Sequence, residues 1–220
     1  ENLIALRQRP VPFDVLLIDD CWSDYFGSWN ANEKWPSGMQ DAARRIRAAG
    51  FEPGIWTCPF VVMADSPVLR KYPGIVARNA AGEPCRFGYQ GPVCYVVDVT
   101  APDSVAYFND FYGRLRQWGY RYHKMDFLRA VVADPEIRFH QASLTRAQAY
   151  RLGMRRVRDA LGDDAYILAC GGLFEGSVGL VDGMRTGTDT KGSWRFEGYR
   201  EGRYTTQLTI KQNVFRSYTS

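Results

Sequence analysis

The sequence predicts an α/β protein on a TIM-type (β/α)8 barrel, of which this chain of 220 residues is expected to hold strands one to six. Three observations lead there. Short apolar, β-rich runs alternate with longer stretches of helical periodicity along the whole length. No G-x-G-x-x-G follows the first run; the long aromatic loop CWSDYFGSWNANEKWPSG stands there instead, which argues against a doubly wound sheet. Aspartates end several of the runs, and the carboxyl ends of its strands are where a barrel carries its chemistry.

The first run covers residues 15–19, and a helix closed by Gly50 is expected over 38–49. The second run, 54–57, is followed by a short helix over 66–72, and the third run is 95–99. Pro102 and Asp103 open a helix over 103–118 that Gly119 closes. Then come the fourth run at 120–125, a helix over 143–161 ending at Gly162, the fifth run at 165–170, the sixth at 181–186 and a last helix over 204–218. Strands joined in this way run parallel through right-handed crossovers. Six strands do not close an eight-stranded barrel. The chain opens on Glu1 and breaks off inside the helical pattern TTQLTIKQNVFRSYTS. Residues 1–220 are therefore expected to be a catalytic barrel fragment, cut from a longer polypeptide before strand seven.

With 45% apolar and 24% charged residues the chain can bury one sizeable core. Its net charge of +4 is modest, and the basic cluster over 151–158 falls on a helical pattern, so a solvated helix face is expected rather than a nucleic-acid surface. No apolar run approaches the ~20 residues of a membrane span. The five cysteines, Cys21, Cys58, Cys85, Cys94 and Cys170, form no C-x-x-C pair and have no His-spaced partner. Only Cys85 and Cys94 stand close enough in sequence to suggest a bridge. Neither a disulfide framework nor a zinc site is expected, and reduced thiols fit a cytoplasmic setting.

Asp126, in YRYHKMDFLRA, and Asp189, in VDGMRTGTDT, each end an apolar run. Two carboxyl groups at one end of a parallel sheet are what glycoside cleavage needs, one as nucleophile and one as proton donor. Lys124 lies two residues before Asp126, so both point to one face of the strand, and its ammonium is expected to keep Asp126 ionised. His123 falls on the other face, toward the helical shell. Asp189 must be protonated to donate, which calls for burial or a neighbouring negative charge. Asp19 and Asp20, in LLIDDCW, can accept bonds from two adjacent sugar hydroxyls or can brace a loop. Trp56, in GIWTCPF, offers an indole face to a sugar, whereas Trp22, Trp29 and Trp35 are equally placed to stack on sugar or to pack in the core. Asp98 and Asp182 read as ordering groups. Four aspartates around a barrel mouth also suit Mg²⁺, a second enzyme class, and a sugar-binding remnant without turnover is a third reading.

The strings LLIDDCW, PGIWTCPF, YRYHKMDF, ILACGG and VDGMRTGTDT, in this order, resemble the α-galactosidases (melibiases) of glycoside hydrolase family 36, in clan D, over about residues 15–220. The resemblance implies a retaining exo-acting α-galactoside hydrolase, with the nucleophile at Asp126 and the acid/base at Asp189. It implies galactose contacts at Asp19, Asp20, Trp56, Lys124, Cys170 and Arg185, no metal or organic cofactor, and an α-galactoside oligosaccharide or glycoconjugate as partner. KMDFLR and CGGLFEG stand where many members have a tryptophan-aspartate-methionine motif and a glycine-rich stretch, which resembles the compact branch. The family also includes galactosyl transferases and α-N-acetylgalactosaminidases, and it flanks its barrel with β-domains that this chain lacks.

Overall fold

The computed structural model describes residues 12–89, 91–187, 189 and 206–215. Its elements are β1 (Val15–Ile18), α1 (Gly38–Ala48), β2 (Glu52–Thr57), β3 (Val61–Met63), α2 (Val68–Lys71), a 3-10 turn (Pro73–Ile75), β4 (Arg86–Phe87), β5 (Cys94–Val96), α3 (Asp103–Trp118), β6 (Tyr122–Met125), α4 (Ala130–Ala133), α5 (Arg146–Leu161), β7 (Tyr166–Ala169), α6 (Phe174–Ser177), β8 (Gly183–Met184) and α7 (Thr206–Phe215). They fall into two units, one ending at Asp182 and the other beginning at Gly183.

In the first unit, β1, β2, β6 and β7 lie side by side in that order, all parallel. Val15 faces Glu52, Ile55 faces His123, and His123 faces Ile167. A parallel sheet is covered on both faces, and β2 is accordingly buried from Pro53 to Thr57. At Gly54 a Cβ would meet Leu17, Tyr122 and Val15 at 3.0 to 3.2 Å, so three neighbouring strands can close up only around glycine. The connecting helices turn apolar stripes inward: Met39, Ala43 and Ile46 from α1, and Tyr107, Phe108, Phe111, Tyr112 and Leu115 from α3. Gly119 ends α3 at φ +98°, a conformation open to glycine, and Thr145 with Gln148 forms a capping box at the start of α5. These parallel strands with their crossover helices are the partial barrel that the sequence predicts.

The third expected strand is different. Residues 95–99 do not enter the parallel sheet. β5 pairs antiparallel with β3 on one side and β4 on the other, so β2 and β6 become direct neighbours. The segment between β2 and α3 is thus an antiparallel excursion at the carboxyl end of β2. Four of the six expected strands form the parallel sheet of this unit, and the sixth is the two-residue β8 of the second unit.

The basic cluster also departs from expectation. Arg151 donates to the carbonyls of Gly176 and Val178, Arg156 to those of Val99 and Ala101, and Arg158 to those of Leu180, Gly162 and Ala165. Arg158 also pairs with Asp182 at 2.5 Å. A guanidinium has five donors, and in these three arginines they satisfy backbone carbonyls around α5, whereas Arg155 stays on the exposed face as expected. Cys58, Cys85, Cys94 and Cys170 are buried, and no disulfide joins any of the five cysteines.

In the second unit β8 leads to Arg185, and α7 follows within the span of the expected last helix. Thr186 Oγ1 donates to Asn213 Oδ1 of α7 at 2.5 Å. Residues 204, 205 and 216–218 of that expected helix lie outside the described residues. No helix among the described residues is long and apolar enough to cross a membrane.

Candidate active site

β1, β2 and β6 end at the same edge of the sheet, and each delivers a predicted residue there. Asp19 and Asp20 follow β1, Trp56 is the penultimate residue of β2, and Asp126 follows β6. The Asp126 N–H donates to the Thr57 carbonyl at 2.8 Å, which ties the ends of β2 and β6 together.

Asp126 is half-buried and held from two sides. Its Oδ2 accepts from the Trp56 indole Nε1 at 3.4 Å, and its Oδ1 accepts from the backbone N–H of Phe127 at 2.8 Å. Phe127 has φ +54°, in the left-handed region that costs a non-glycine residue about 1–2 kcal/mol. Cys21, just after Asp20, repeats the arrangement: φ is +72° and its N–H donates to Asp20 Oδ1 at 2.6 Å. Two acidic side chains at two strand ends are thus fixed by the amide of a strained successor, the kind of local cost that clusters at functional sites.

Lys124 is not spent on Asp126 as expected. Its Nζ bonds Asp19 Oδ2 at 2.7 Å, with the lysine side chain 17% exposed and that of Asp19 57%. Asp20 takes its other donor from a residue the sequence reading did not single out: the Tyr89 hydroxyl lies 3.1 Å from Asp20 Oδ2. Burial first, then the Asp20 charge, pushes the Tyr89 phenol well up, so it stays a donor at neutral pH. Adjacent carboxylates that would repel are each given protein donors of their own.

The tryptophans sort cleanly. Trp22 and Trp29 are 1% and 0% exposed and stack on each other at 6.0 Å, so of the two readings left open they take the core one. Trp35 is half-buried. Trp56, expected to offer its face to a sugar, is 2% exposed, its indole edge on Asp126 and its carbonyl accepting from Trp22 Nε1 at 2.8 Å. Rings nearer the surface are Tyr89 and Phe127, 5.7 Å apart, with Phe87 5.2 Å from Phe127. Cys170, fully buried, follows β7 and donates its N–H to the Met125 carbonyl at 2.7 Å.

His123 is fully buried with Tyr112 edge-on to its ring, as expected of a structural residue. Burial chiefly, with Arg121, Arg158 and Arg116 adding to it, lowers its pKa to about 3. Asp98 accepts from the amide and hydroxyl of Thr100 and from the His140 amide, which makes it a loop brace. Among the described residues no group of three or more His, Cys, Asp or Glu side chains is arranged to hold a metal ion.

In the second unit, Arg185 and Asp189 form an ion pair at 2.6 Å. The Asp189 side chain is 66% exposed rather than buried, and its Oδ1 is bonded to a guanidinium.

The sequence model of the Melibiase family matches residues 4–177. An α-galactosidase of Escherichia coli is 28% identical over 160 residues, covering 68% of this chain and 22% of that protein. The myogenesis-regulating glycosidase of Mus musculus is 30% identical over 128 residues, 56% of this chain and 17% of that one. The chain therefore spans about a fifth of the length of these curated relatives. Among solved structures, the α-galactosidase TtGalA of Thermus thermophilus in complex with p-nitrophenyl α-D-galactopyranoside superposes with a TM-score of 0.74 at 37% identity, over 87% of this chain and 38% of that one. AgaA of Geobacillus stearothermophilus, a GH36 α-galactosidase, matches with a TM-score of 0.68 at 19% identity over 99% of this chain and 30% of that one, a likeness of fold.

Proposed function

This chain belongs to the melibiase family, and from that premise we propose that it is the catalytic barrel portion of an exo-acting α-galactoside hydrolase that retains anomeric configuration. One observation carries the proposal. A half-buried carboxylate at the end of β6, Asp126, is oriented by an indole N–H and by its own strained successor, with the carboxylates of Asp19 and Asp20 at the end of β1, on the far side of β2. A nucleophile must be fixed at its attack angle, and two donors on two oxygens fix both rotation and tilt. In the proposed reaction Asp126 attacks the anomeric carbon and the glycosidic C–O bond breaks as Asp189 gives its proton to the leaving oxygen. Asp189 then removes a proton from water, which attacks the same carbon and releases Asp126. Asp19, Asp20 and Lys124 bind the sugar hydroxyls, and Arg185 and Cys170 complete the contacts. Trp56 acts here as a positioning residue for Asp126 rather than as a stacking face. The α-galactosides bound by TtGalA, the nitrophenyl galactoside and stachyose, support the substrate class.

The test is hydrolysis of p-nitrophenyl α-galactoside by the full-length protein and its Asp126→Ala variant, with α-glucoside and α-N-acetylgalactosaminide as controls. Galactoside turnover that disappears in the variant, with the α-anomer as first product, is the expected result. An inverted first product rejects the double displacement, and a silent wild type rejects the hydrolase.

A further inference from the structure

We infer that Tyr89 is a positioning and specificity residue of the sugar site, which it enters from the antiparallel excursion rather than from the barrel. The inference rests on the hydrolase reading above and deepens it. Of the adjacent carboxylates after β1, Asp19 is neutralised by Lys124, whereas Asp20 has no salt bridge among the described residues. Its donors are the Cys21 N–H on Oδ1 and the Tyr89 hydroxyl on Oδ2. The first is local and fixes one oxygen. The second reaches across from the β4–β5 connection and fixes the other, so the rotation of this carboxylate depends on where the excursion sits.

The excursion is built to hold its place. Val61 pairs with Val96 across β3 and β5, the Ala64 N–H donates to the Val93 carbonyl, and the Val96 N–H donates to the Cys85 carbonyl. The Tyr89 ring packs edge-on to Phe26 at 5.1 Å and to Phe127, the residue after Asp126, at 5.7 Å, so it bridges the loop after β1 and the loop after β6. A phenol that donates to a carboxylate keeps its own lone pairs, and each carboxylate oxygen keeps one to offer. Asp20, with its rotation set by Tyr89, therefore presents a fixed acceptor to one sugar hydroxyl. A sugar lacking that hydroxyl, or holding it on the other face of the ring, leaves this acceptor unmet.

The test compares wild type, Tyr89→Phe, Asp20→Asn and the double variant in the full-length protein, on p-nitrophenyl α-galactoside and its monodeoxy analogues. Tyr89→Phe keeps the ring and removes only the hydroxyl, and its Tm should match wild type. On the parent galactoside it should raise KM about tenfold with kcat changed less than about twofold, as expected for a lost hydrogen bond to a charged group in ground and transition state alike. On one deoxy analogue the penalty should vanish, the same analogue on which the Asp20→Asn penalty vanishes. A Tyr89→Phe penalty that is equal on every analogue, or that adds fully to that of Asp20→Asn, overturns the inference while leaving the hydrolase reading intact. A wild type inactive on every galactoside overturns both.

Discussion

His123 should make this fold sensitive to acid in a calculable way. In the folded chain its ring is fully buried against Tyr112, and burial with three surrounding guanidiniums brings its pKa to about 3 from an ordinary 6.5. In the unfolded chain it titrates at its ordinary value. Above the unfolded pKa neither state is protonated and the fold keeps its full stability. As pH falls from there toward the folded pKa, only the unfolded state gains the proton, so stability is lost across that window. The linkage relation gives a loss of about 1 kcal/mol by about pH 5.5 and about 3 kcal/mol by about pH 4.5. For a chain of this size the larger figure corresponds to a Tm drop of about 6–12 °C. Thermal melts followed by circular dichroism, on the full-length protein and on His123→Leu, measure it, since leucine keeps the buried volume and removes the titrating group. The two should melt within a few degrees of each other at neutral pH and diverge steadily below about pH 6.5. Melting temperatures that fall in parallel down to about pH 4.5 would refute the assignment of this acid sensitivity to His123.

Three further outcomes are expected. Gly176→Ala puts a methyl 2.5 Å from Tyr150 Cδ1, on a ring that is fully buried and bonded to Ser177 at 2.8 Å, so denaturant titration should show a loss of about 1–3 kcal/mol. Arg158→Ala strips donors from three carbonyls and from Asp182, and should cost about 2–4 kcal/mol in the same assay, with Arg158→Lys recovering only part of it. Lys124→Met should shift Tm little, because its partner Asp19 is largely exposed, yet raise KM for an aryl α-galactoside about tenfold; a Tm loss of the size seen for Arg158→Ala would mark Lys124 as structural instead.

Much of the architecture could be read from the sequence because its signals are periodic. Alternation along 120–125 placed His123 outward and Lys124 with Asp126 inward, and the positions of Gly50, Gly119 and Gly162 marked three helix ends. Residues 95–99 misled for a physical reason. An apolar, β-branched run has the same composition in a parallel strand as in an antiparallel one, and its partners β3 and β4 are only three and two residues long, too short to carry a pattern. Tyr89 was invisible for the same cause, since a bond to a residue 69 positions away leaves no local trace. The partner of Lys124 could not be read either: spacing places two side chains on one face, but Asp19, arriving from β1, took the ammonium. Nor does sequence register that Phe127 and Cys21 have positive φ, because neither is a residue type that favours it.

The antiparallel excursion also bears on the order in which the chain can assemble. Gly54 and Tyr122 are paired across β2 and β6, yet all of β3, β4, β5 and α3 lies between them in sequence. Bringing such distant strands together from an open coil carries a large loop-closure entropy, and parallel pairing is slow for that reason. The excursion's own pairings, Phe87 with Cys94 and Val61 with Val96, are closer in sequence than Gly54 with Tyr122 and can form first, and a helix can form on its own stretch, so the free chain left to close is shorter. On this account the β3–β5 segment acts as a folding spacer. Variants that weaken its own pairing should slow refolding of the parallel sheet more than they speed its unfolding.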